Sequence, residues 1–222
     1  MFSRIAGRYD LLNRLLSFGL DAHWRKVTLK LLAPEPAWTV LDLCTGTADL
    51  AVAAVRQGGQ RVAGVDLSLT MLRLGRKKIR RLGDGQRVYL LNGDVEDLPF
   101  PDRTFEGITI GFGVRNVVDV ERGLREMVRV LKDGGRIAIL EFSRPRMPIF
   151  RHLYFFYLQR ILPYVGGLIS GEWEAYRYLQ RTVLAFPDGE RFMEMMRKAG
   201  FVSVEEKRLT FGVVTVYTGR KR

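Results

Sequence analysis

A short apolar, β-branched run, Thr39-Val40-Leu41-Asp42-Leu43-Cys44, follows Pro34 and Pro36 and passes into Thr45-Gly46-Thr47 and an alanine-rich segment with helical periodicity. That order reads as strand, tight turn and helix. It recurs at once: Val62-Ala63-Gly64-Val65 reads as a buried strand ending at Asp66, followed by a helix around Met71, Leu72 and Leu74 that Ser68 caps. The unit is a βαβ crossover. Further strands are predicted at 88–92, 104–110 and 136–141, with a helix over about 120–131 ended by Asp133-Gly134-Gly135. Alternation of this kind specifies an α/β fold with a mostly parallel sheet.

After Ser143 the pattern changes. Pro145 and Pro148 break the chain before an aromatic stretch from Phe150 to Gly167, and a helix is predicted over 172–184. We read about 145–185 as a helical insertion over the ligand edge of the sheet, and about 1–33 as an N-terminal helical lid, within one domain spanning 1–222. A last helix over 187–199 precedes strands at 201–209 and 213–217, whose join around Gly212 suits an antiparallel hairpin.

At 222 residues and 47% hydrophobic, the chain suits one globular core, which excludes a disordered or fibrous protein. Lys and Arg total 36 against 24 Asp and Glu, so the net charge of +12 points to an anionic partner without naming it. A lone cysteine, Cys44, and two histidines, His23 and His152, offer no disulfide and no metal-ligand spacing. No stretch reaches the roughly 18 apolar residues of a membrane span, and the first residues lack a signal's apolar run, so a cytoplasmic location is expected.

In open α/β sheets the ligand sits beyond the carboxyl ends of the strands. Asp42 to Asp49 falls there: Gly46 admits a close backbone approach, and Thr47 with the amides after it donates hydrogen bonds. Asp66, 20 residues after Gly46, is placed to accept both hydroxyls of an adenosine ribose, with Leu67 beside it. Asp94, in Asn92-Gly93-Asp94-Val95, is placed to accept from an adenine amino group. An adenosine-containing cofactor follows. These residues leave a dinucleotide and S-adenosylmethionine both open, although the single glycine of Thr45-Gly46-Thr47-Ala48 counts against a dinucleotide, whose pyrophosphate turn needs G-x-G-x-x-G.

Tyr9-Asp10-Leu11-Leu12-Asn13, Ser17-Phe18-Gly19, His23-Trp24-Arg25, Gly111-Phe112-Gly113-Val114-Arg115-Asn116, Arg129-Val130-Leu131-Lys132 and Leu140-Glu141-Phe142-Ser143 stand along the chain, followed by Ala175-Tyr176-Arg177-Tyr178-Leu179, Phe186-Pro187 and Ala199-Gly200-Phe201. This series resembles the ubiquinone/menaquinone biosynthesis C-methyltransferases nearly from end to end. The resemblance implies a class I S-adenosylmethionine-dependent, Rossmann-like fold with a seven-stranded sheet, mostly parallel with an antiparallel C-terminal hairpin. It implies cofactor contacts at Thr47, Asp66, Asp94, Val95 and Gly111, the last where the family often has serine. Ala48 stands where the family often has glycine, which would narrow the turn, and Asp133 where proline is common. Asp21 takes a place where relatives often carry histidine, so no catalytic histidine is assigned.

The reaction implied is methylation of a ring carbon on a polyprenylated quinol, demethylmenaquinol to menaquinol, with the benzoquinol of ubiquinone synthesis as the alternative substrate. Arg115 is the first catalytic candidate, as a fixed cation beside a quinolate oxygen, with Asn116 orienting it and Asp10 a candidate base. Tyr9, Asn13, Tyr176, Arg177 and Tyr178 are substrate-side candidates. A structural ion pair is the competing account of Arg115 and Glu141. The aromatic stretch with Arg151 and Arg160 suits transient contact with a membrane surface, which would make the protein peripheral to it, or else a core helix or homodimer interface. The basic run Arg73 to Arg81 reads as a solvated helix face. Two other functions compete with this one: an RNA methyltransferase, disfavoured by Gly111-Phe112-Gly113-Val114 where an Asn/Asp-Pro-Pro-aromatic motif is usual, and a non-catalytic cofactor-binding scaffold. No nucleic acid partner and no metal are expected.

Overall fold

A computed structural model describes residues 9–59 and 61–222. Seven strands form one sheet: β1 (Thr39–Leu43), β2 (Arg61–Asp66), β3 (Val88–Asn92), β4 (Phe105–Gly111), β5 (Leu131–Phe142), β6 (Phe201–Leu209) and β7 (Val214–Lys221). Their order is β3-β2-β1-β4-β5-β7-β6. The first five run parallel and β7 pairs antiparallel with both β5 and β6, the mostly parallel sheet with an antiparallel C-terminal hairpin that the resemblance implied. Residues on β1 alternate between two cores, because successive side chains of a strand point to opposite faces. Leu41 and Leu43 join one, against α5 (Val120–Val130) and α9 (Glu190–Ala199). Val40 joins the other, against α2 (Leu20–Leu32), α3 (Asp49–Arg56) and α4 (Leu69–Leu82).

The remaining helices cover the carboxyl edge of the sheet. They are α1 (Tyr9–Leu16), α6 (Pro148–Phe156), α7 (Leu162–Ser170) and α8 (Trp173–Ala185). A π-helical turn, Tyr157–Ile161, joins α6 to α7. Pro163 explains it: proline has no N–H to donate to the carbonyl four residues back and its ring crowds that carbonyl, so the preceding turn widens. Tyr154, Leu158, Leu162, Ala175, Tyr176 and Val183 form a third apolar cluster beneath these helices. Not all of 1–33 covers the edge, since Leu29 and Leu32 of α2 are fully buried against the sheet.

One boundary differs clearly from the sequence expectation. β5 starts at Leu131 rather than near 136, because Leu131 pairs with Phe105 before 132–135 bulge out and Arg136 pairs with Gly107. Gly134, at φ 75°, makes that bulge. On α4, Ser68 caps as expected, accepting from Met71 N. The basic run is mostly exposed, but Arg76 donates to the Leu90 carbonyl and Lys78 reaches Asp49 and Thr47. Among the described residues, no helix is long and apolar enough to cross a membrane.

Tyr217 on β7 fastens α9 to the sheet. Its ring is fully buried, edge-on to Phe192 with centroids 4.9 Å apart, and its hydroxyl accepts from Gly189 N at 2.7 Å. Tyr217→Phe leaves that buried N–H without an acceptor and should cost about 1–2 kcal/mol in urea unfolding. An unchanged unfolding free energy would contradict this role.

Candidate active site

The turn after β1 is held from below. Asp42 is buried, and its carboxylate accepts from Thr45 Oγ1 at 2.5 Å and Thr109 Oγ1 at 2.7 Å, tying the turn to β4. Burial pushes the Asp42 pKa up to about 6, against the two hydroxyl donors. Above this brace the backbone enters the left-handed region three times, at Cys44, Gly46 and Ala48. For Ala48 (φ 68°, ψ 25°) that costs about 1–2 kcal/mol, which a glycine would avoid. Cys44 packs so tightly on Gly113 that a Cβ there would lie 2.2 Å from the Cys44 Cβ, so only glycine fits. Burial pushes the Cys44 thiol up, leaving it an inert neutral group.

Asp66 closes β2 and organises the cleft beside this turn. One carboxylate oxygen accepts from Gly46 N and the other from Ser68 N, each at 2.8 Å. Burial raises its pKa, while these two amides pull the other way. A carboxylate offers about four acceptor positions, so two remain for a ligand's hydroxyls. Asp94 has one oxygen on Glu96 N at 2.9 Å. Asp66, Leu67, Asp94, Val95, Gly111 and Asn116 line this cleft with Met71 and Val117. The Asn116 Oδ1 is buried there with no hydrogen-bond partner. Paired acceptors, apolar walls and an unsatisfied amide oxygen fit a nucleoside with a ribose diol and an amino-bearing base.

A polar recess adjoins the cleft, lined by Asn13, Arg25, Asp42, Thr47 and Asp49. A third, largely apolar pocket lies under α1, α6, α7 and α8. Phe112, at φ 57°, belongs to the walls of all three. Its ring rests on Phe142 (centroids 4.6 Å apart) and meets Trp24 edge-on.

Arg115 enters the apolar pocket as half of a buried ion pair. Its Nη1 donates to Glu141 Oε1 at 2.8 Å and to the Phe112 carbonyl, and its guanidinium lies 5.4 Å from the Phe142 ring centre. Glu141 is fully buried and also accepts from Arg115 N and Phe142 N. The Arg115 Nε–H has no partner, nor does the Tyr154 hydroxyl in the same pocket. Burial pushes the Tyr154 phenol up, so it stays a neutral donor.

The sequence candidates thus divide. Arg115 and Asn116 are adjacent on a 3₁₀ turn (Val114–Asn116), yet Arg115 lines the apolar pocket and Asn116 the nucleoside cleft. Asn13 and Tyr176 line the apolar pocket. Arg177 and Tyr178 line none of the cavities described here, because helical phase turns Ala175, Tyr176, Leu179 and Val183 inward instead. Arg177 is exposed beside Glu174, and Tyr178 lies under the Arg181 guanidinium. The side chains of Tyr9 and Asp10 lie outside the described residues. Phe112, Tyr154, Tyr157 and Arg25 went unassigned, although all four stand in segments the sequence singled out as aromatic or motif-bearing.

Because the folded Asp42 pKa stands above its ordinary value, the stability it contributes is complete below about pH 4 and is lost as pH rises through 6. The stability of wild type relative to Asp42→Asn should therefore fall by roughly 2–3 kcal/mol between pH 4 and 7. A pH-independent difference would contradict the assignment.

The solved structures most useful for comparison show the fold alone. A SAM-dependent methyltransferase from Thermotoga maritima superposes with a TM-score of 0.70 at 22% identity, over 100% of this chain and 98% of that one. The [4+2]-cyclase SpnF does so with a TM-score of 0.66 at 15% identity, over 91% and 82%. Sequence relatives are much nearer. The ubiquinone/menaquinone biosynthesis C-methyltransferase UbiE of Geobacter sulfurreducens is 48% identical over 223 residues, covering 100% of this chain and 87% of its own. The demethylmenaquinone methyltransferase of Thermus thermophilus is 48% identical over 220 residues, 99% of each chain. The ubiE/COQ5 methyltransferase family model matches residues 1–221, and the chain belongs to that family.

Proposed function

We propose that this protein transfers the methyl group of S-adenosylmethionine to a ring carbon of a polyprenylated quinol, converting demethylmenaquinol to menaquinol. One observation carries the reading: two buried donors without partners, Arg115 Nε–H and Tyr154 O–H, line an apolar pocket that shares the Phe112 wall with a nucleoside-shaped cleft. A flat apolar ring bearing oxygens is the ligand that fits such a pocket. The names of the Geobacter and Thermus relatives support the menaquinone substrate.

Asp66, Asp94 and Asn116, with Gly46, Thr47, Leu67, Val95 and Gly111, are the residues that would hold the cofactor, whose sulfonium supplies an electrophilic methyl group. The chain's own contribution is to orient the quinol and to stabilise the negative charge that develops on its ring oxygen. Glu141 cancels most of the Arg115 charge at a distance, so Arg115 acts as a fixed, oriented donor rather than a bare cation. Its Nε–H stabilises a ring oxygen as negative charge develops, Tyr154 holds the ring by a second hydrogen bond, and Phe112, Phe142 and Leu158 exclude water. Helix α1, with Asn13, and the start of α2, with Ser17 before it, serve as the cover of this pocket.

Helices α6 and α7 supply the route for the lipid tail. Tyr154, Leu158 and Leu162 face the pocket, while Ile149, Leu153, Phe156, Tyr164 and Leu168 stand exposed near Arg151 and Arg160. With a net charge of +12, this face suits an anionic bilayer surface. The protein should sediment with phosphatidylglycerol vesicles in a salt-sensitive way, and Leu153→Glu with Phe156→Glu should abolish this. Equal sedimentation of that variant would count against the face, and a concentration-dependent dimer lost in it would favour a homodimer interface.

Labelled methyl from S-adenosylmethionine should appear in reduced demethylmenaquinone in detergent. Label only in a demethylated benzoquinol would reassign the ring, and label only in structured RNA would overturn the substrate class. Arg115→Lys keeps a cation for Glu141 but loses the Nε–H; kcat should fall about 10- to 100-fold with cofactor affinity nearly unchanged. A kcat within twofold of wild type would remove Arg115 from the chemistry.

A further inference from the structure

The polar recess between cleft and pocket has a chemistry that neither a nucleoside nor a quinol explains. Arg25 on α2 is largely buried, with its side chain 16% exposed. Its Nη1 pairs with Asp21 Oδ2 at 2.6 Å, and its Nη2 reaches Asp49 Oδ2 at 3.3 Å. Asp49, the first residue of α3, takes a second cation, Lys78 Nζ, at 2.6 Å, and the same Nζ donates to Thr47 Oγ1 at 3.1 Å. Among the described residues, Asp21 and Asp49 thus stand against Arg25 and Lys78 at the meeting of α2, α3 and α4. The cluster presents a cation and an anion side by side, and both Arg25 and Asp49 line the cavity.

That pair matches the two ends of an α-amino acid, a carboxylate for the guanidinium and an ammonium for Asp49. The longer Arg25–Asp49 contact is the one such a zwitterion would enter, while the tight Asp21 contact keeps the guanidinium in place. The N-cap of α3 is Ala48, which has no side chain to cap the first turn, and this favours a carboxylate at that end. The recess also joins the cleft at Cys44, Gly46, Gly111 and Phe112, so a ligand in one continues into the other.

Resting on the cofactor reading above, we propose that Arg25 holds the carboxylate, and Asp49 the ammonium, of the cofactor's amino-acid end. Arg25 also lines the apolar pocket, so the bound cofactor braces the wall against which the quinol packs.

Calorimetry with two nucleosides tests this without turnover. S-adenosylhomocysteine has the amino-acid end, and 5′-methylthioadenosine lacks it. Arg25→Gln should raise the dissociation constant of S-adenosylhomocysteine at least about tenfold and that of methylthioadenosine less than about twofold. Arg25→Lys, which keeps Asp21 and Asp49 paired, should show a smaller loss with the same selectivity, and carries the comparison if the glutamine variant does not fold. Equal losses for both ligands would make Arg25 a mere brace and overturn the proposal, as would no loss for either. Wild-type protein that binds neither ligand would overturn the cofactor reading itself.

Discussion

The buried Arg115–Glu141 pair is the contact on which the arrangement at the sheet edge depends. Glu141 sits near the end of β5, Arg115 on the 3₁₀ turn after β4, and their bond fixes that turn to the neighbouring strand. The Phe112 carbonyl is gathered into the same network. Because Phe112 walls all three cavities, fixing it fixes how the nucleoside cleft meets the apolar pocket. A pair this deep contributes little net stability against its desolvation, but losing one partner strands a buried charge at a cost of about 3–5 kcal/mol. Its value is geometric.

The site is built as a sequence of environments rather than as a cluster of reactive groups. Asp66 and Asp94 offer acceptors in the cleft, the recess offers charges of both signs, and the pocket is largely apolar, with Arg115 and the Tyr154 hydroxyl among its few polar groups. Among the described residues none is activated as a nucleophile: the partly buried Cys44 thiol is pushed up by desolvation and stays neutral. Such a surface suits a transfer in which substrate and cofactor carry the reactive atoms and the protein aligns them. The left-handed residues Cys44, Ala48 and Phe112 concentrate backbone strain at that alignment point, held by Asp42 below and by close packing on Gly113.

The sheet was legible in the sequence because strand and helix periodicities are local, and the positions of Asp66 and Asp94 follow from strand ends. Side-chain destinations were not. Arg115 and Asn116 differ by one residue and serve different cavities, a consequence of a 3₁₀ turn no periodicity announces. Tyr176 and Arg177 look equivalent until helical phase separates them. Tyr154 acquires its place only when α6 packs with α8 and the Phe142 ring, a contact between segments with no shared local signal. The start of β5 was hidden by the same Asp133-Gly134-Gly135 that reads as a helix stop, because there it makes a bulge.

The most direct test of the account is a crystal structure with S-adenosylhomocysteine and a short-chain demethylmenaquinone analogue bound together. The account predicts the nucleoside beside Asp66 and Asp94, the quinone ring against Phe112, and a ring oxygen within hydrogen-bond distance of Arg115 Nε with the Glu141 pair intact. A ring bound outside the apolar pocket, or an Arg115 turned away from Glu141, would contradict it.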